Sequence, residues 1–431
     1  MGLLIKKGHI CNPATGIDRV MDVRIEEDHI VELEEELEVR PDDRVVDAEG
    51  CYVFPGFIDL HVHFRDPGLT EKEDIESGSK AAAHGGFTTV VAMPNTKPVA
   101  DEPKIIRYVH DKAAQIGMTH VLQVGAVTKG MAGEELSDLE GMIGAGIPAI
   151  SEDGKSVMDS GLYREAMKIA AQSDIPVLAH CEDINLVEGG VINQGKRSDA
   201  LGLRGISNAV ENVIVARDIM IAGETGARLH LCHCSTKESV DMLRQAKSRG
   251  IKVTGEVCPH HFTLTEEDIP EGDANYKMNP PLRTREDVEA LKQGLKFGIL
   301  EVISTDHAPH TAEEKAAGLE KAPFGIVGLE TAAALTYTEL VKTEILTPMD
   351  MAKVMSLNPA KVLGIDKGDI SPGHIADLTV FDPEPTYEIH AEEFWGKGRN
   401  MPYEGREVTG RILCTVVDGR VVYGEERVQH D

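Results

Sequence analysis

One pattern recurs through the middle of this 431-residue chain: a short apolar run, a turn, then an amphipathic stretch with helical spacing. The runs read FIDLHVHF, FTTVVAMPN, HVLQVGAV, IPAISED, IPVLAHCE, RLHLCHCS, IKVTGEVCPHH and EVISTDHAPH. Between them, SGLYREAMKIAAQS places Leu162, Ala166, Ile169 and Ala170 on one helical face. TPMDMAKVMSLNPAKVLGI opens with Thr347 as cap and Pro348 at the first helical position. Eight β-then-α units imply a parallel sheet, and eight is the number that closes into a TIM-like (β/α)8 barrel. An open doubly wound sheet is the alternative, but no GxGxxG follows the first run. The two ends differ from the middle and match each other. LLIKKGHI, DVRIEEDHIVEL and RVVDAEGCYVFPG at one end, and IADLTVFDPE and RILCTVVDGRVVYG at the other, are short alternating strands, the last carrying a hairpin signal at Asp418-Gly419. Residues 1–54 and 366–431 are therefore expected to form one small β-sandwich, interrupted by a catalytic barrel over 55–365.

Polar residues gather at the C-terminal ends of the central strands, the face where such barrels build their sites. His61 and His63 share one face of their strand with Arg65, a row for which a packed core has no use. Asp153, His180, His233 and Asp306 end four further strands. A single buried histidine is more often a satisfied core group, but metal-type residues at five strand ends are not that pattern. Imidazole and carboxylate together suit Zn²⁺. Six ligands exceed one tetrahedral ion and fit two ions sharing a carboxylate bridge. Asp59, on the face of His61, either orients that ligand or forms a salt bridge deeper in the barrel. Strand parity points Cys181, Cys232 and Cys234 away from the site, towards the helices, and gives His230 the wrong face. His260 and His261, beyond Pro259, are assigned to packing or solvent ahead of the pocket.

The net charge of −29 excludes nucleic acid and an anionic membrane as partners. Two divalent ions with Asp153, Asp306, a hydroxide and Arg65 nevertheless leave the pocket positive, so it favours a small anion. Seven cysteines with no CxxC pair suggest reduced thiols and a cytoplasmic setting. The start shows no signal peptide, and no apolar run approaches the roughly 18 residues of a membrane span. A homo-oligomer is expected, a dimer being one form.

The stretches GFIDLHVHFRDPG, MPNT, SEDG, AHCED, CHCS, NPPLR and STDHAPH resemble the class I dihydroorotases of the amidohydrolase superfamily, over essentially the whole chain. The resemblance implies a metal-dependent barrel with a β-sandwich from both chain ends. It implies that His61, His63, His180 and His233 are metal ligands and that Asp306 is the metal-bound catalytic aspartate, acting as general acid and base. Arg65, Asn95 and His310 then hold a substrate carboxylate, with Asn279 and the backbone at Phe324 and Gly325 as further contacts. The implied reaction is the reversible, zinc-dependent interconversion of dihydroorotate and N-carbamoyl-L-aspartate in pyrimidine biosynthesis, with a transcarbamoylase as a conceivable companion. Many members of the superfamily bridge their metals with a carboxylated lysine; here Asp153 stands at that point, and Lys155 leaves the lysine alternative open. The rivals are another cyclic amidase, a hydantoinase or allantoinase, whose substrate lacks the ring carboxylate, and a non-catalytic assembly partner. HTAEEKAAGLEKAPFG, residues 310–325, reads either as a loop that closes over substrate or as a solvated helix.

Overall fold

The computed structural model describes residues 2–424. Its first strands, β1 (Leu3–Asn12), β2 (Ile17–Glu26) and β3 (His29–Glu34), form an antiparallel meander, and β4 (Arg44–Asp47) and β5 (Tyr52–Pro55) add in parallel to β1. The barrel staves follow: β6 (Phe57–Val62), β7 (Phe87–Ala92), β8 (His120–Gln123) continued by β9 (Gly125–Ala126), β10 (Ile150–Ser151) and β11 (Val177–Ala179). A two-stranded ribbon of β12 (Ile192–Asn193) and β13 (Gly205–Ile206) decorates one connection, and β14 (Leu229–Leu231), β15 (Val253–Val257) and β16 (Val302–Ile303) complete the set. Every neighbouring pair of staves is parallel. The ring closes where His63 N donates to His307 O at 2.8 Å and Leu60 N to Ser304 Oγ at 3.3 Å.

Alternation along the staves builds two apolar layers. Phe57, Val90, Val121, Val177, Leu229, Leu231 and Val253 face the surrounding helices. Ile58, Leu60, Val91, Val124, Leu178 and Val302 fill the barrel interior. Ala360, Val362 and Leu363 of the helix Asn358–Leu363 join that interior cluster from the N-terminal end of the strands, leaving the opposite end for polar groups.

The chain returns through β17 (Leu378–Glu388), β18 (Glu407–Val417) and β19 (Arg420–Gly424), and β17 pairs with β5, so both ends share one sheet in the order β19-β18-β17-β5-β1-β2-β3. The β18–β19 turn has Asp418 at φ 46° and Gly419 at φ 72°, the left-handed pair a tight hairpin needs; a Cβ at Gly419 would also lie 2.0 Å from Glu27 O. Residues 425–431, assigned to this domain from sequence, lie outside the described residues. Between β17 and β18 the chain leaves the sheet. Ile389, Met401 and Tyr403 of that excursion pack with Leu264, Met278 and Ile326 of the barrel loops. Among the described residues, no helix is long and apolar enough to cross a membrane.

Candidate active site

The C-terminal ends of the staves bring His61, His63, Asp153, His180, His233 and Asp306 together around one carboxylate. Asp153 Oδ1 lies 3.2 Å from His61 Nε2, 3.4 Å from His180 Nδ1 and 3.6 Å from His233 Nε2, while Oδ2 is 3.4 Å from His63 Nε2. Asp306 Oδ1 is 3.1 Å from His63 Nε2 and 3.5 Å from His61 Nε2. All six side chains are buried. His61 Nε2 and Asp153 Oδ1 are buried without a hydrogen-bond partner, an arrangement that costs free energy unless something else satisfies them. The donor atoms of His61, His63 and Asp306, and those of His61, Asp153 and His233, form two clusters within 4.8 Å that share one histidine. Nitrogen and oxygen donors at this density fit divalent metal. Burial opposes charge on His61 and His180, yet the Asp153 carboxylate raises both pKa values above the ordinary imidazole value; a divalent ion would displace those protons.

Lys155 goes elsewhere. It is exposed, and its Nζ donates to Met131 O at 3.1 Å.

The groups behind the ligands fix their orientation. Among the described residues Asp59 forms no salt bridge: its Oδ1 accepts from His61 N at 3.0 Å and Thr305 N at 3.1 Å, and its Oδ2 accepts from Thr305 Oγ1 at 2.6 Å, tying two ligand-bearing segments together. Glu256, which the sequence analysis did not single out, has Oε1 3.2 Å from His61 Nδ1 and Oε2 3.0 Å from His230 Nε2. Burial alone would raise its pKa, but His230 and His61 hold it well below the ordinary carboxylate value. The inward parity of 254 and 256 on β15 was the available signal. Glu182 similarly sits 3.0 Å from His180 Nε2, and Asn95 Oδ1 2.9 Å from His63 Nδ1.

Parity fails at His233. Leu229 and Leu231 face the helices, so His230 and Cys232 face inward, and His233 reaches the site only because the chain has left the strand, with φ 34°. Cys232 therefore belongs to the interior cluster, with its sulfur in a group with His61 and Glu256, and not to the helix side. Cys181 and Cys234 do pack on the helix side. His260 and His261 are buried beside the site but do not line its cleft; His261 Nε2 is 2.9 Å from Pro280 O.

A cleft of ≈220 Å³ opens over the ligands, and Arg65, Asn95, Asn279, His310, Phe324 and Gly325 all line it. Arg65, with φ 61°, is only 8% exposed, and no carboxylate among the described residues lies within ion-pair distance of it. Its Nε donates to Pro309 O at 3.3 Å and its NH2 lies 3.3 Å from His310 Nε2. Burial draws its pKa down only to about 10, so it stays cationic. Burial, then Arg65 and Lys72, bring His310 down to about 3, leaving a neutral ring. A buried guanidinium without a counter-ion, facing a cleft, is a site for an anion. Residues 310–325 are neither one solvated helix nor an open loop. They form two short helices, Ala312–Lys315 and Gly318–Lys321, with Lys315 buried.

A family model described as "Dihydro-orotase-like" matches residues 50–239. A dihydroorotase of Pelotomaculum thermopropionicum is 48% identical, covering 98% of this chain and 98% of the relative. Another, of Acetivibrio thermocellus, is 44% identical, covering 98% and 99%. Among solved structures, an L-hydantoinase (dihydropyrimidinase) from Arthrobacter aurescens superposes with a TM-score of 0.87 at 25% identity over 100% of this chain and 97% of that one. A D-hydantoinase (dihydropyrimidinase) from Thermus sp. gives 0.84 at 28% identity over 100% and 97%.

Proposed function

The chain belongs to the dihydroorotase family, and from that premise we propose that it interconverts dihydroorotate and N-carbamoyl-L-aspartate at a zinc-dependent site, as a step of pyrimidine biosynthesis in the cytoplasm. The observation that carries the substrate assignment is Arg65: a buried, unpaired guanidinium in the cleft that also exposes the ligand cluster. The hydantoinase fold neighbours mark the competing reading, a neutral cyclic amide, which gives such a guanidinium nothing to bind.

His61, His63, His180, His233, Asp153 and Asp306 would hold two zinc ions, with Asp153, central among four imidazoles, as the bridge. Bound there, zinc supplies Lewis acidity, bringing the pKa of water towards about 7 and polarising a carbonyl. Arg65 takes the substrate carboxylate through its NH groups, and Asn95, Asn279, His310 and the Phe324–Gly325 backbone complete the cradle. The ring is thereby held with its amide carbonyl towards the ligand cluster. In hydrolysis, water adds to that carbonyl carbon and the carbon–nitrogen bond breaks. The Asp306 carboxylate accepts the water proton and delivers it to the leaving ring nitrogen. In ring closure the same oxygen takes the proton from the attacking ureido nitrogen and gives it to the departing hydroxide.

Arg65→Met tests the assignment. Loss of a charged hydrogen bond of about 1.5–3 kcal/mol should raise KM for L-dihydroorotate by about 10- to 100-fold with kcat little changed. Turnover of neutral hydantoin should move far less. Equal losses on both substrates, or a collapse of kcat alone, would assign Arg65 to the metal cluster or to the fold instead.

A further inference from the structure

We propose that Lys315 and Asn400 are positioning residues for the carboxylate cradle, clamping the Gly325 carbonyl from two sides; the inference rests on the function proposed above. Gly325 has φ 131°, a conformation reserved for glycine, and a Cβ there would lie 2.7 Å from Ala308 Cβ and 3.1 Å from His310 Nε2. Its carbonyl accepts from Lys315 Nζ at 2.8 Å and from Asn400 Nδ2 at 3.0 Å. Its own N–H donates to Lys277 O at 3.0 Å.

Lys315 is 7% exposed and has no carboxylate within ion-pair distance among the described residues. Its ammonium is satisfied by three carbonyls, of Lys277 (3.2 Å), Pro323 (3.1 Å) and Gly325 (2.8 Å). A long cation buried on main-chain oxygens alone forms no strong ion pair. What it does is fold the ends of residues 315–325 onto the strand-end loop at Lys277. That sets where the Phe324–Gly325 backbone lies.

Asn400 comes from the other domain, on the excursion between β17 and β18. It is 4% exposed, and its amide is fully used. Oδ1 accepts from His310 N at 3.1 Å, and Nδ2 donates to Ala308 O at 3.1 Å as well as to Gly325 O. Its own carbonyl accepts from Val327 N at 2.9 Å. One side chain thus fixes His310 and Gly325 relative to each other, two residues that line the cleft together with Arg65. Neither Lys315 nor Asn400 lines the cleft, so neither is a catalytic residue.

Asn400→Asp keeps the Oδ1 acceptor but turns a carboxylate oxygen towards two carbonyls; Lys315→Met removes the donors at similar length. Both variants, made in the full-length zinc-loaded protein, should raise KM for L-dihydroorotate at least tenfold while kcat stays within about threefold. The double variant should be less than additive, because both clamps act on one carbonyl. The melting temperature reports any general loss of fold, and whichever variant melts normally is the one read; two variants that both melt well below wild type assign the clamp to the fold and overturn the proposal. An unchanged KM in a normally melting variant, or a fall confined to kcat, overturns the proposal. Wild-type protein that fails to convert L-dihydroorotate would instead overturn the function itself.

Discussion

Asp153 and Lys155 share strand parity in the sequence, but their side chains diverge: one carboxylate sits among four imidazoles, and the ammonium turns away to Met131 O. Aspartate is also ionised at neutral pH unaided, whereas lysine must first lose a proton and then gain CO₂. Asp153→Ala should lose at least one zinc ion by elemental analysis and nearly all activity. Lys155→Ala should keep its metal and most of its activity. A dead Lys155→Ala, or a need for added bicarbonate when metal-free protein is reconstituted, would move the bridge two residues along. At this scale the sequence was informative where a strand still governed direction. His61 and His63 were legible from their spacing, and His180 from its place at the end of an apolar run. Cys232 was misplaced because the parity of His233 was carried past the end of β14, where φ turns positive. Glu256 carried a parity signal on β15 that was not read, whereas Lys315 and Asn400 lie in segments without a period and bind main-chain carbonyls, which leaves no trace in the sequence.

The elements that carry the site are held by caps and straps as much as by apolar packing. The helix Ile75–His84, which follows the His61–Arg65 segment, begins with a capping box in which Asp74 Oδ1 accepts from Ser77 N at 2.8 Å. Lys397, on the excursion from the small domain, adds Nζ to Asp74 Oδ2 at 2.5 Å and its N–H to both oxygens of buried Glu73 at 3.2 Å. Burial would raise the Asp74 pKa, but Lys397 and the Ser77 donors bring it to about 2. A carboxyl depressed in the folded state stabilises fully above its unfolded pKa of about 4 and loses that contribution as pH falls towards 2. Asp74→Ala should therefore cost about 1 kcal/mol near neutrality, a cap-sized effect because the group is partly solvated. The difference from wild type should shrink in melts taken below about pH 3. A pH-independent difference would leave the carboxylate without its role. The eight staves and the shared terminal sheet were legible because each has its own periodicity and turn chemistry. The excursion over 389–406 was not, because it has no period and its apolar side chains pack on residues far away in the sequence.

For the whole molecule, a net charge of −29 surrounds a cleft whose unpaired cation is Arg65. At physiological salt the Debye length is about 8 Å, so the buried cleft and the outer surface act nearly independently, and an anion can be bound by an acidic protein. The small domain is part of this arrangement, since it supplies Asn400 and Lys397 to the barrel mouth. Ring closure turns a dianion into a monoanion and consumes a proton, so the reaction should run towards closure near pH 6 and towards hydrolysis near pH 8.5, each value being about one unit or more from neutrality. The direct measurement is conversion of L-dihydroorotate and of N-carbamoyl-L-aspartate by the purified protein, before chelation, after it, and after zinc is returned. Interconversion in both directions, lost with the metal and regained with zinc, is the expected result. Metal-replete protein that converts neither compound, or that turns over neutral hydantoin in preference to both, would contradict it.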